Sequence, residues 1–155
     1  MGKTLYIMSG LPGSGKSTWL RSHASGVVVS RDKIRFTMVN DPKKYFNAEK
    51  DVWNKYIETI QSALDTGDAI SNVYADATHL NEKSRCKLIN ALKLPDRTQI
   101  KVVYFNVPLE VCLERNRQRT GMALVPDDVI TNMSNTITNP FNDKYKWDEV
   151  IEVNE

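Results

Sequence analysis

At 155 residues the chain is one domain's worth of polypeptide, long enough to bury about two-thirds of its unfolded surface around a single core. Hydrophobic residues make up 41% and charged residues 26%, which excludes a mainly disordered chain; the lack of any apolar run of about 18 residues argues against a membrane span. Lys and Arg number 21 against 19 Asp and Glu, a formal net charge of +2, so any basic footprint for a polyanion has to be local. Cys86 and Cys112, without CxxC spacing, read as buried thiols in a reducing compartment rather than a disulfide or metal site. The start Met1-Gly2-Lys3-Thr4 leads into too short an apolar run for a signal peptide. Tyr6 stands where a myristoylation signal needs Ser or Thr, so a cytoplasmic location is expected.

The first element in the chain, Leu5-Tyr6-Ile7-Met8, reads as a short buried strand. It leads into Gly10-Leu11-Pro12-Gly13-Ser14-Gly15-Lys16-Ser17, which fits GxxxxGK[ST] without a mismatch. Such a loop wraps backbone N–H groups around phosphate oxygens, which side chains at its glycines would obstruct. Lys16 would bring a charge to the β and γ phosphates, Ser17 a hydroxyl to Mg²⁺, and the following helix its positive dipole end. The bland alternative is a glycine-rich turn before a helix.

A helix is expected from Ser17 to His23, ending near Ser25-Gly26, and Val27-Val28-Val29 is a second strand. Asp41-Pro42 offers an N-cap and first-turn proline to the longest helix, in which Tyr45, Phe46, Val52, Trp53, Tyr56, Ile57, Ile60 and Leu64 recur at helical spacing until Gly67. Those aromatics read as core packing rather than a base-stacking platform. Ile70 to Ala75 is a third strand closed by Asp76, and Asn81 caps a helix stopped by Leu94-Pro95. Gln99 to Asn106 is the fourth strand. Pro108 opens a helix that Gly121 closes, and Pro126, as first helical residue, opens another through Ile137. Thr138 to Lys146 reads as a polar connection before a last strand over Val150 to Val153.

Strands alternating with helices imply an α/β domain, one unit over residues 1–155 with no second domain, whose parallel sheet is covered on both faces. Ligands in such sheets bind beyond the carboxyl ends of the strands, which draws attention to the segments after strands two, three and four. Ser30-Arg31-Asp32-Lys33-Ile34-Arg35 follows strand two. Asp32 there is a candidate general base for phosphoryl transfer, and Arg35, one helical turn on, a holder of an anionic group of the acceptor. An N-cap role for Asp32 and a solvated face for Arg31 and Arg35 stay open. Asp76 in Asp76-Ala77-Thr78-His79 is either a second carboxylate, for Mg²⁺ through water or for a lid arginine, or a turn cap. His79 reads as a surface or capping histidine. Arg115 and Arg119, four apart on one helix face with Arg117 pointing away, form either a lid that neutralises developing phosphoryl charge or a solubilising basic face.

Taken together, GLPGSGKSTW, SRDKIR, YADATHLN, FNVPLEVCLERNRQRTG and ALVPDDVI resemble the polynucleotide 5′-kinase family, typified by the T-even phage kinase domain and its P-loop relatives, from Lys3 to about Ile137. The resemblance implies a P-loop kinase fold of about five parallel strands with an arginine-bearing lid. It also implies transfer of the ATP γ-phosphate, with Mg²⁺, to a DNA or RNA 5′-hydroxyl. Residue by residue it puts Gly13, Ser14, Gly15, Lys16, Ser17 and Thr18 around the nucleotide, Ser17 on the metal and Asp32 at the 5′-hydroxyl. Arg35 falls beside the adjoining phosphate, Arg119 on the transferred phosphate and Arg115 near the nucleotide. Asp76 and Thr78 fall on the acceptor side, where this chain has Asp-Ala-Thr-His in place of the family's Asp-Thr-Asn and is one residue longer. The 3′-phosphatase motif DxDxT of the phage enzyme is absent, leaving either a stand-alone kinase or one working beside a separate phosphatase or ligase. Two rivals share the phosphate loop: a small-molecule kinase for a sugar, nucleoside or antibiotic, and a nucleotide-binding switch, which needs no acceptor base.

Overall fold

The computed structural model describes residues 2–39 and 45–154. Five parallel strands, β1 (Thr4–Ser9), β2 (Val27–Ser30), β3 (Asn72–Asp76), β4 (Gln99–Phe105) and β5 (Glu149–Val153), form one sheet in the order β2-β3-β1-β4-β5. The fold is that of the P-loop kinases, as expected. Alternation along each strand sends side chains to opposite faces. Leu5, Ile7, Val73, Ala75 and Val102 pack against Tyr56, Ile60 and Leu64 of α3 (Tyr45–Leu64) and Leu88 of α4 (Glu82–Ala91). Met8, Tyr74, Val103 and Phe105 pack on the other face against Leu20 of α1 (Lys16–His23), Cys112 of α5 (Leu109–Arg117) and Ile130 of α6 (Asp127–Ser134). Both faces are therefore covered, which explains the near-continuous apolar runs of the inner strands. From Val52 on, the α3 stripe is core packing, with Val52, Tyr56, Ile60 and Leu64 fully buried and Trp53 half-buried; the expected Asp41-Pro42 start and the side chains of Tyr45 and Phe46 lie outside the described residues. No helix among the described residues is long and apolar enough to cross a membrane.

The strand order places the functional loops. The chain leaves β1 for the β2 side and later crosses to β4 on its other side, opening a crevice at the carboxyl end of β1. Helix α2 (Arg31–Met38) starts directly after β2. Ser30, whose hydroxyl accepts from the Lys33 N–H at 3.2 Å, is its N-cap. The capping alternative for Asp32 is thereby excluded; Asp32 is the second residue of α2, in its first turn, with its side chain 67% exposed.

Four local expectations need correction. Helix α5 ends at Arg117, with Gln118 as its C-cap, rather than at Gly121, so Arg119 lies beyond the helix instead of sharing a face with Arg115. Pro126 is the N-cap of α6, with extended ψ, and not its first helical residue, whereas Pro108 opens α5 as its N-cap. Cys86 is only half-buried, unlike Cys112. The segment 138–146 is more than a connection: it carries a 3₁₀ turn at Pro140–Asn142 and then Asp143, which pairs with Arg85 of α4 at 2.8 Å with both side chains buried. Arg85, fully buried, also donates to the Ser9 hydroxyl and the His79 carbonyl, each at 3.1 Å.

Candidate active site

The loop after β1 has the geometry its glycines anticipate. Gly13 turns with φ +82, and a Cβ there would stand 2.5 Å from the Cys112 carbonyl oxygen. Gly15, with φ +98, leads into α1. The amides at the start of α1 are unpaired by the helix itself and so remain available to an anion. Ser14 is buried and its hydroxyl has no hydrogen-bond partner among the described residues, a costly condition unless a ligand oxygen meets it. Lys16, the first residue of α1, folds back so that Nζ donates to the Gly10 and Leu11 carbonyls at 2.9 and 2.8 Å. Burial pushes its pKa down to about 8, with the carboxylates of Asp76 and Asp32 working against that shift and Arg119 adding to it. One ammonium thus feels both candidate carboxylates and the lid arginine.

Asp76 ends β3 in register with Ser30, which sets it beside the start of α2. Burial and the charge of Asp32 raise its pKa, and Lys16 opposes them. The following segment is stitched to the phosphate loop: the Gly10 N–H donates to the Thr78 carbonyl at 2.9 Å and the Ser9 hydroxyl to the His79 carbonyl at 2.8 Å. His79, expected at the surface, is 4% exposed and kinks with φ +38. Its Nε2 lies 2.8 Å from the Tyr56 hydroxyl, and burial, aided by the nearby charges of Arg31, Arg85 and Lys16, pushes its pKa down to about 3. The turn leaves Thr78 on the cavity and the imidazole in the core.

A cavity of about 970 Å³ at the carboxyl ends of the strands brings the sequence candidates together: Gly13, Gly15, Lys16, Ser17, Thr18, Asp32, Arg35, Asp76, Thr78, Arg115 and Arg119 all line it. Arg115 donates to the Gly13 carbonyl at 3.4 Å. Arg119 belongs to a loop closed at its base by Asn116, a fully buried amide that bonds the Val125 N–H and carbonyl. That pairing ties the loop at its base, and Arg119, Gly121, Ala123 and Leu124 line the cavity from this loop and not from a helix face. Arg117 points away and pairs with Asp127 at 3.1 Å, as the spacing predicts.

Sequence reasoning missed Glu49. Its carboxylate takes Arg35 Nε at 2.6 Å and Arg31 at 3.0 Å, so neither arginine is on a merely solvated face. Arg35 also touches Asp32. Burial raises the Glu49 pKa, and the two arginines more than reverse it. An acidic residue preceding an aromatic stripe carries no signal of this pairing until α2 and α3 are packed.

A scan against models of protein families matches residues 5–140 to an AAA domain. The chain belongs to this AAA-domain family. Solved structures sharing the fold of this AAA-domain protein include three kinases. One is a gluconokinase from Sinorhizobium meliloti, with 17% identity, a TM-score of 0.61, and coverage of 99% of this chain and 82% of that one. A sugar kinase from Janibacter has 17% identity, a TM-score of 0.64, and coverage of 99% and 86%. A fungal RNA kinase has 15% identity and a TM-score of 0.69 over 99% of this chain but 38% of its own. At such identities the likeness is one of fold.

Proposed function

We propose that this AAA-domain protein is an ATP-dependent phosphotransferase that phosphorylates the 5′-hydroxyl end of DNA or RNA. The observation that carries the reading is the placement of Asp32 and Arg35, one turn apart on α2, across one cavity from Lys16 and Arg119. The residues fit a nucleoside triphosphate: a positive-φ cradle at Gly13 and Gly15, and a lysine lying on the loop's own carbonyls. Ser17, on the cavity wall in the first turn of α1, would hold Mg²⁺ together with phosphate oxygens. When bound, ATP with Mg²⁺ supplies the activated phosphoryl group and part of the charge neutralisation.

The chain's own residues do the rest. The N–H groups around Gly13 to Thr18 orient the phosphates, and Lys16 moves from the loop carbonyls to the β and γ oxygens. Asp32, exposed to the cavity, would accept the proton of the acceptor hydroxyl as its oxygen bonds to the γ-phosphorus and the bond from that phosphorus to the β–γ bridging oxygen breaks, ADP leaving. Arg119 swings in on the Asn116-rooted loop to meet charge developing on the transferred group, and Arg115 stays against the phosphate loop. Asp76 and Thr78 border the acceptor, and Arg35 receives the phosphate next to the terminal nucleoside.

A second reading has an observation of its own. Glu49 and Asp32 already share Arg35, so the acceptor end is close to charge-balanced, as suits a neutral or singly charged metabolite such as the substrates named for the gluconokinase and sugar kinase. A panel of kcat/KM values decides between them. With 5′-hydroxyl DNA and RNA oligonucleotides exceeding gluconate, hexoses and nucleosides, the polynucleotide reading stands; a metabolite far ahead of every oligonucleotide would replace it.

A further inference from the structure

Arg31 opens α2 on the wall of the cavity, and its guanidinium carbon lies 5.3 Å from the centre of the Trp53 ring of α3. From α4, Lys87 Nζ reaches the same ring at 4.6 Å. The two cations are thus within about 10 Å of each other, joined by one half-buried indole that leads from the cavity toward the outer face of α4. Their surroundings differ. Arg31 is neutralised by Glu49, whereas Lys55 and Lys101 pair with Glu58 and Glu149 and the exposed Lys87 makes no ion pair or hydrogen bond among the described residues. Lys83 stands one turn N-terminal on the same face of α4. A cation held over an aromatic ring without a carboxylate keeps its charge available to an outside anion. A charged strip continuous with the cavity matches a polyanion that enters the cavity end first.

We propose that Lys87, held over the Trp53 ring next to Arg31 at the cavity wall, forms a second backbone-phosphate subsite, along which the acceptor strand leaves the cavity. The inference rests on the polynucleotide reading above and extends it: acceptors carrying two or more backbone phosphates gain affinity that a nucleoside 3′-phosphate lacks. Lys87 binds substrate at a distance from the reacting atoms, so its contribution falls on KM and not on kcat.

The test measures initial rates for wild type, Lys87→Gln and Lys87→Arg with a nucleoside 3′-phosphate and with a 5′-hydroxyl tetranucleotide, over a range of salt. Wild type is expected to favour the tetranucleotide in KM. Lys87→Gln raises that KM by about fivefold, the upper end for an exposed charge pair, leaves the nucleoside 3′-phosphate unchanged, and reduces the salt slope by about 0.7, the value for one phosphate contact on a single strand. Lys87→Arg restores both. Equal KM values for the two acceptors in wild type, or a Lys87→Gln effect that ignores acceptor length or salt, would overturn the subsite and leave the kinase reading intact. That result would reduce Lys87 to a stem covering Trp53. Failure of wild type to phosphorylate either acceptor would remove both.

Discussion

Glu49 divides one carboxylate between two arginines of the neighbouring helix: Oε1 accepts from Arg35 Nε at 2.6 Å, and Oε2 from Arg35 at 3.1 Å and Arg31 at 3.0 Å. With Asp32 also on Arg35, two positive and two negative groups nearly cancel where the proposed acceptor phosphate enters. Glu49 both aims Arg35 and competes for it. Glu49→Gln keeps a hydrogen-bond acceptor and removes the charge. It is expected to lower KM by about threefold to fivefold for phosphate-bearing acceptors, within the range for a partly exposed ion pair, and to leave a neutral nucleoside unchanged. Steady-state rates with the two acceptor types check it; a higher KM for both would show that aiming dominates.

Asp32→Asn should lower kcat by about 10² to 10⁴, the usual cost of losing a general base. ATP affinity should stay within about twofold, because in the proposed mode the carboxylate would face the acceptor and reach the nucleotide end only through its field on Lys16. Rapid-quench rates paired with calorimetric ATP binding separate the two. Unchanged turnover would remove Asp32 from the chemistry and favour a nucleotide switch.

Much of this site is legible in the linear sequence because the phosphate loop and Asp32 follow strand ends and Asp76 closes one, where the sheet's topology gathers them; Arg119 reaches the cavity from the loop beyond α5. The unread parts depend on packing between distant segments. Arg85 looks like any helix-surface arginine until Asp143, 58 positions on, closes over it. His79 looks like a turn residue because its burial comes from a kink at φ +38 and from Tyr56 on another helix. The lid was misread for a local reason: the i, i+4 spacing of Arg115 and Arg119 suits a helix, but Asn116 spends its amide on Val125 and the chain leaves the helix after Arg117.

The pKa of Lys16, about 8 in the free protein, fixes the sign of a pH effect on nucleotide binding. A bound triphosphate favours the charged ammonium, so above pH 8 binding takes up a proton and affinity falls, by at most about tenfold per pH unit. Well below pH 8 this group contributes no slope. Titrations of a non-hydrolysable ATP analogue at pH 7, 8 and 9 should show weakening mainly over the last interval, and Lys16→Ala should bind weakly without that inflection. Constant or rising affinity from pH 7 to 9 would contradict the assignment.

His79 carries a stability consequence. Its folded pKa, about 3, lies below the ordinary 6.5, so between those values the unfolded chain binds the proton and the native state does not. Stability from this group is intact above pH 6.5 and drops as pH falls toward 3, by up to about 1.4 kcal/mol per pH unit. Asp76, whose raised pKa acts in the opposite sense, is common to both proteins when wild type is compared with His79→Asn, a residue that tolerates the left-handed backbone. Denaturant unfolding at pH 7, 6 and 5 should show the gap in stability between the two narrowing as pH drops. A constant gap would mean that His79 protonates in the folded state.

The central claim concerns where the phosphate goes. Incubation with γ-labelled ATP, Mg²⁺ and a single-stranded 5′-hydroxyl oligonucleotide, followed by digestion to nucleoside 5′-phosphates, locates the transferred group. Label confined to the nucleotide from the 5′ end, and absent with Lys16→Ala, is the predicted result. Label released only as inorganic phosphate, or found solely on a small metabolite, would contradict it.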